Sequence, residues 1–199
     1  MTAIYLASRS PRRRELLTQL GISHEVLLAP PSSGPDEPQL PFESAVDYVR
    51  RTARDKAWQG LETLRSQPAL PVLPILAADT TVILDGDVLG KPQDRDDAIR
   101  ILTRLSGRSH EVHTALTMIA GNNQYEDVSI THVTFRELSV SDIEKYCDSG
   151  EPYDKAGAYG IQGLAGVFVS RIEGSFTGVM GLPLFETARL LGLAGIQIP

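Results

Sequence analysis

Cysteine is nearly absent from this chain. Cys147 is its one thiol, so no intramolecular disulfide can form and no zinc cluster can be built on thiolates. Long apolar runs are absent as well, and no stretch approaches the roughly 18 uninterrupted apolar residues of a membrane span. There is no excess of basic charge: 25 acidic residues against 19 Lys and Arg leave a net charge of −6 and a pI near 5.2. A chain that grips nucleic acid over its surface is usually basic, so nucleic acid is not an expected partner. Any anion bound here must meet a local positive patch. His24, His110, His113 and His132 show no metal-ligand spacing. Neither a G-x-S-x-G nucleophile elbow nor a G-x-x-x-x-G-K-[ST] phosphate loop occurs. The N-terminal residues carry no basic segment before their short apolar run and turn basic only at Arg9 to Arg14. That order is the reverse of a secretory signal, so the expected location is the cytoplasm.

What is present is ordinary for a soluble globular protein. Apolar residues make up 42% of 199, enough for a core, and charged residues 22%. One domain over residues 1–199, with two lobes and no separate linker, is the expected organisation. Short apolar runs at 3–7 and 24–28 read as strands. Between them a helix follows Ser10 as N-cap, with Pro11 in its first position and Gly21 as C-cap. Residues 29–41 are a loop rich in Pro and Ser carrying Asp36 and Glu37, and 43–59 an amphipathic helix. Strands are expected at 72–78 and 81–84 on either side of Asp79, with Asp85-Gly86 as a hairpin turn. A helix at 94–105, strands at 110–120 and 126–136, a helix at 139–148, a strand at 167–172 and a helix at 183–192 complete the pattern. Strands alternate with helices, yet two neighbouring pairs are hairpins, which predicts an α/β fold on a mixed sheet.

Four segments carry chemistry. In Leu6-Ala7-Ser8-Arg9-Ser10-Pro11-Arg12-Arg13-Arg14 a strand runs through a Ser-rich turn into a helix. Three arginines at the positive end of a helix dipole are each unfavourable by about 0.3–1 kcal/mol. An anion in the turn offsets that cost, and Ser8, Ser10 and the guanidinium groups suit a phosphate; the alternative is a solvated basic helix end. Asp79 ends an apolar strand, where a carboxylate holds a divalent cation or takes a proton from water, or is an ordinary turn residue. Lys91, between Gly90 and Pro92, is a point charge for phosphate or a surface lysine. The run Asp154 to Gly163 spaces Gly157, Gly160 and Gly163 by three. It allows close backbone approach to a ligand, with Gln162 reading a base edge, or is a tight crossover.

Together these segments resemble the Maf family of nucleotide pyrophosphatases. The resemblance rests on Leu-Ala-Ser-x-Ser-Pro-Arg-Arg at 6–13, Asp36-Glu37, Tyr48-Val49 through Lys56-Ala57, and Ala78-Asp79-Thr80. Leu89-Gly90-Lys91-Pro92, Ser106-Gly107 with His110, Asp154 to Gly163, and Gly181-Leu182-Pro183 extend it over nearly the whole chain. It implies the fold of the inosine triphosphate pyrophosphatases, an elongated mixed sheet with two lobes around a cleft. It implies hydrolysis of a nucleoside triphosphate to the monophosphate and pyrophosphate with a divalent metal, Mg²⁺ or Mn²⁺. Asp79 falls on the proton acceptor and a metal ligand. Ser8, Arg13, Glu37, Lys56 and Lys91 fall on phosphate and metal residues, with Asp36 the alternative to Glu37. Arg12, Thr80 and Gln162 sort the subfamilies and resemble the dTTP/UTP-cleaving branch, and the resemblance suggests a homodimer. Alternatives are a pyrophosphatase for 7-methyl-GTP or ITP, and a nucleotide-binding regulator of septum formation.

Overall fold

The computed structural model describes residues 4–29 and 38–198. Asp36 and Glu37 therefore lie outside the described residues. The short apolar run forms β1 (Ile4–Leu6), and α1 (Pro11–Gln19) follows a four-residue turn. Gly21, at a φ of 72°, lets α1 end with Gly21 and Ile22 donating to the carbonyls of Thr18 and Leu17. Next come β2 (His24–Val26) and α2 (Ala45–Arg65). α2 starts where Ser44 accepts the Asp47 amide and runs six residues past the expected end at 59. Gly60 is a poor helix residue, but here it lets α2 lie against the sheet. A Cβ on Gly60 would stand 3.1 Å from both Ala7 Cβ and Ile75 Cγ2.

β3 (Ile75–Leu84) and β4 (Asp87–Leu89) form a hairpin on Asp85 and Gly86, both at positive φ. α3 (Arg95–Leu105) leads into β5 (Ser109–Ala120) and β6 (Asn123–Phe135), paired along their length. Then come α4 (Val140–Asp148), three short 3₁₀ turns between Glu151 and Phe168, β7 (Val169–Glu173), α5 (Phe176–Met180) and α6 (Leu184–Leu193). α5 was not expected from the sequence; it is a five-residue turn whose start Ser175 caps by accepting the Gly178 amide. The expected mixed sheet is present: seven strands ordered β2-β1-β3-β5-β6-β7, with β4 also on β3, and both parallel and antiparallel pairs.

Alternation along β3 divides the core. Ile75 and Ala77 pack against Ala57 and Leu64 of α2. Leu76 and Ala78 point the other way, to Leu16 and Leu17 of α1 and Leu190 and Leu191 of α6. Further along, Val82 and Leu84 meet α3 and α4 through Leu102, Leu105, Ile143 and Tyr146. Each fully buried leucine contributes about 1.5–3 kcal/mol, so this packing sets the strand's facing firmly. Asp79 must then face α2, and Thr80 must face α1.

One expectation needs correction. Asp79 does not end a strand; 75–84 is one strand, registered on β5 from Ile75 to Ile83. Aspartate is disfavoured in strands, which is why the sequence suggests a break there. Cross-strand pairing and the packing on both faces outweigh that preference.

Candidate active site

The site opens where one edge of β3 lacks a partner. β1 runs parallel to β3 and reaches only Leu76. β4 runs antiparallel along the same strand and stops at Leu89, opposite Val82. Their carboxyl ends point toward each other across residues 78–81, which have no strand partner on that edge among the described residues. Ser8 to Pro11 leaves the sheet from one side and Gly90 to Pro92 from the other. Ligands of α/β sheets bind beyond the carboxyl ends of strands, and here two such ends converge. A cavity of about 1090 Å³ occupies the place.

Ser8, Arg12, Arg13, Lys56, Asp79, Thr80, Lys91 and Gln162 all line that cavity. Its walls carry six basic side chains against three acidic ones in a chain of net charge −6. The positive patch demanded by an acidic chain that binds an anion is therefore present, and it is local.

On the α2 face, Lys56 Nζ lies 2.5 Å from Asp79 Oδ1, and Thr52 Oγ1 lies 2.9 Å from Asp79 Oδ2. The two carboxylate oxygens are thus held from one helix turn, because Thr52 and Lys56 are four residues apart. The carboxylate is 13% exposed at the cavity wall. Thr52 is fully buried, and its hydroxyl has the carbonyls of Tyr48 and Val49 as competing acceptors. It was not singled out in the sequence; its signal was its place one turn before Lys56 on the apolar face. Thr52→Val keeps the shape and removes the hydrogen bond to a charged oxygen. We expect kcat to fall about tenfold with KM little changed, and steady-state kinetics with unaltered kcat would show that Thr52 is only packing.

On the opposite face, Arg13 ties three segments together. Its guanidinium donates to Gly181 O at 2.8 Å, Ser8 Oγ at 3.1 Å and Thr80 Oγ1 at 3.2 Å. Thr80 Oγ1 also lies 2.9 Å from Thr114 Oγ1, its partner in the β5 register. Ser8 Oγ accepts from Arg13 and from the Ser10 amide at 3.2 Å. A hydroxyl has two acceptor sites and one proton, so the Ser8 proton is left to be donated to an anion. Ser10 has the extended backbone of an N-cap, but its side chain makes no capping hydrogen bond. The first amides of α1 thus receive no side-chain cap from it, as an anion-binding turn requires.

The third and fourth segments are joined. The Gly157 amide donates to Gly90 O at 3.1 Å, fixing the stretch that carries Lys91. Gly157 sits at a φ of 69°, and a Cβ there would meet Val82 at 2.8–3.0 Å, so no other residue fits well. Across the cavity mouth Arg12 pairs with Asp154 at 3.4 Å, and Asp154 also receives Lys155 at 2.5 Å. Burial works against the Asp154 charge, but Lys155 and then Arg12 outweigh it and hold the carboxyl below its usual range. Behind the wall, His110 faces the Tyr159 hydroxyl at 2.9 Å; burial lowers its pKa to about 4, so it is neutral and serves packing.

Among the described residues no group of three His, Cys, Asp or Glu stands ready for a metal. The cavity's carboxylates are Asp79, Glu62 and Asp154. Of these, Asp79 offers the kind of oxygen a hard cation takes when it binds through one or two carboxylates and otherwise through substrate phosphates and water.

The model of one family, described as Maf-like protein, matches residues 3–194. The chain belongs to the Maf family. Similar Maf proteins include the dTTP/UTP pyrophosphatase of Bordetella pertussis, 65% identical over 98% of this chain and 94% of that protein. The dTTP/UTP pyrophosphatase of Chromobacterium violaceum is 54% identical over 100% of this chain and 98% of its own length. Among solved structures, the Staphylococcus aureus Ham1 protein aligns with a TM-score of 0.50 at 14% identity, over 96% of this chain and 100% of that one. At that identity the likeness to Ham1 is one of fold, and for this Maf chain it agrees with the mixed sheet and flanking helices. No helix among the described residues is long and apolar enough to cross a membrane.

Proposed function

We propose that this Maf chain hydrolyses dTTP and UTP to the monophosphate and pyrophosphate, with Asp79 as the proton acceptor. The observation that carries the reading is the convergence of Ser8, Arg13, Lys56, Asp79 and Lys91 on one cavity at the open edge of β3. The names of the Bordetella and Chromobacterium relatives support the substrate choice.

The triphosphate lies along the Ser8–Arg13 turn. The Ser8 hydroxyl and the first α1 amides donate to its oxygens, and Lys56 and Lys91 offset its charge. Asp79, held by Thr52 and Lys56, orients a water and takes its proton as the water attacks the α-phosphorus. The bond to the bridging oxygen breaks, and pyrophosphate leaves toward the basic wall. Holding water and phosphorus in line is itself a large part of the rate, because there is little covalent chemistry for the protein to do. A divalent cation, Mg²⁺ or Mn²⁺, would be held by Asp79 with Glu37 or Asp36 and the phosphates; when bound it neutralises charge on the polyphosphate. A cytoplasmic homodimer is part of the reading.

Base choice falls to Arg12, Thr80 and Gln162. Arg12 and Gln162 stand on the cavity wall, and Thr80 accepts a hydrogen bond from Arg13. Arg12→Trp should lower kcat/KM for dTTP and UTP at least about tenfold more than for 7-methyl-GTP, since it trades a forked cation for a flat apolar ring. Equal losses on all three substrates would remove Arg12 from base selection. The experiment that tests the whole reading is pyrophosphate release with Mg²⁺ or Mn²⁺ across dTTP, UTP, CTP, GTP, ITP and 7-methyl-GTP. Turnover led by dTTP and UTP is the expected result. A lead by ITP or 7-methyl-GTP would discard the substrate choice and keep the chemistry, while no turnover would leave a nucleotide-binding protein.

A further inference from the structure

Gln162 stands at the middle of a turn, exposed to the cavity, while its neighbour Ile161 is buried in the core with Leu102 and Phe135. Both ends of that turn lead to Glu151, one directly and one through Tyr146. The Leu164 amide donates to Glu151 Oε2 at 2.9 Å. The Gly160 amide donates to the Tyr146 hydroxyl at 3.1 Å, and that hydroxyl donates to Glu151 Oε1 at 2.9 Å. The two attachment points lie two residues before and two residues after Gln162. Tyr146 is buried, and burial, the largest influence on it, raises its pKa, so it remains a phenol that can donate. Lys155 completes the arrangement by donating from Nζ to Glu151 O at 2.6 Å.

The spacing of the glycines has the same origin. A Cβ on Gly163 would lie 2.4 Å from Glu151 Oε2, and a Cβ on Gly160 would lie 2.8 Å from Lys155 Cε. Glycine at 163 lets the turn settle onto the Glu151 carboxylate, and glycine at 160 spares the Lys155 side chain from shifting.

We propose that Glu151, acting with Tyr146, is a positioning residue for base selection: it clamps the 160–164 turn so that Gln162 meets the base at a fixed place. The inference rests on the assignment of Gln162 to base reading. A glutamine amide on a loose turn can pair with a uracil or thymine edge, or turn over and pair with cytosine. A clamped turn removes that freedom of position, so an amide held at one place discriminates more sharply between the uracil or thymine edge and the cytosine edge.

The test compares Glu151→Gln, Gln162→Ala and the double variant of the full-length protein. An amide at 151 carries no charge, and its nitrogen faces either the Leu164 amide, donor against donor, or the Tyr146 hydroxyl, which then stops donating, so one arm of the clamp is weakened. Gln162→Ala is expected to lower the kcat/KM preference for dTTP over CTP about tenfold. Glu151→Gln is expected to lower it about three- to tenfold, and to add nothing once Gln162 is alanine. Inorganic triphosphate, which has no base, should inhibit all the proteins with the same Ki. If Gln162→Ala leaves the preference intact, the base-reading assignment of Gln162 fails. If Gln162→Ala lowers it and Glu151→Gln does not, or the two effects add, the clamp is refuted. A matching loss of triphosphate affinity in Glu151→Gln would also refute it, since the whole cleft would have moved. If Glu151→Gln does not fold, Tyr146→Phe carries the same comparison, because it removes only the Gly160 arm and keeps the ring.

Discussion

Asp79→Asn is expected to lower kcat by about 10²–10⁴-fold, the contribution of a positioned general base, with KM for dTTP changed less than about threefold. The reason lies in what asparagine keeps and what it loses. It keeps the shape and an oxygen able to accept from Thr52 Oγ1, now 2.9 Å from the carboxylate. It loses the basic oxygen that takes the proton of water. Its amide nitrogen also faces Lys56 Nζ, which lies 2.5 Å from the present oxygen, donor against donor. In the proposed reading substrate binding rests on the Ser8–Arg13 turn and on Lys91, which line the cavity from other segments. Steady-state kinetics with the purified variant decide the matter, and a wild-type kcat would remove Asp79 from the base role.

Arg13→Lys should show how much depends on a fork rather than a charge. The present guanidinium reaches Ser8, Thr80 and Gly181 together, so it joins the β1–α1 turn, the centre of β3 and the end of α5. An ammonium on a flexible stem cannot hold three acceptors lying in different directions. Hydrogen bonds to a charged group contribute about 1.5–3 kcal/mol each, so losing even one lowers kcat/KM about 10- to 100-fold. The same loss should lower Tm by about 5 °C in a chain of this size. Arg13→Ala should go further in both measures. Kinetics and calorimetry on the pair of variants test this, and wild-type kcat/KM in Arg13→Lys would mean that charge alone suffices at this position.

Local signals in the sequence located most elements because they act over few residues. Ser44, Asp94 and Ser139 cap helices as short-range hydrogen bonding requires. Asp85-Gly86 makes the hairpin turn its type predicts. The segments Ser8–Arg13, Asp79-Thr80 and Gly90-Lys91 stood out because turns and charged side chains beside apolar runs are themselves local features. Their ordered recurrence pointed to the family, which the match over residues 3–194 establishes.

Other features depend on packing between distant segments. Nothing near Asp79 in the chain shows that the strand continues through it; that follows from its register on β5. Nothing local places Asp79 against α2 and Thr80 against α1, since the facing of the strand is set by which apolar neighbours each helix offers. Thr52 reaches Asp79 only because α2 lies close to β3, and Glu151 reaches Tyr146 and Leu164 only because the 3₁₀ turns fold back beside α4. The sequence by itself determined the strands, caps, turns and the store of charged groups, all consequences of short-range sterics and hydrogen bonding. Only the tertiary structure decided that β1 and β4 stop short of each other along β3, because strand length is settled by pairing and burial, and that gap is what turns scattered residues into one cavity.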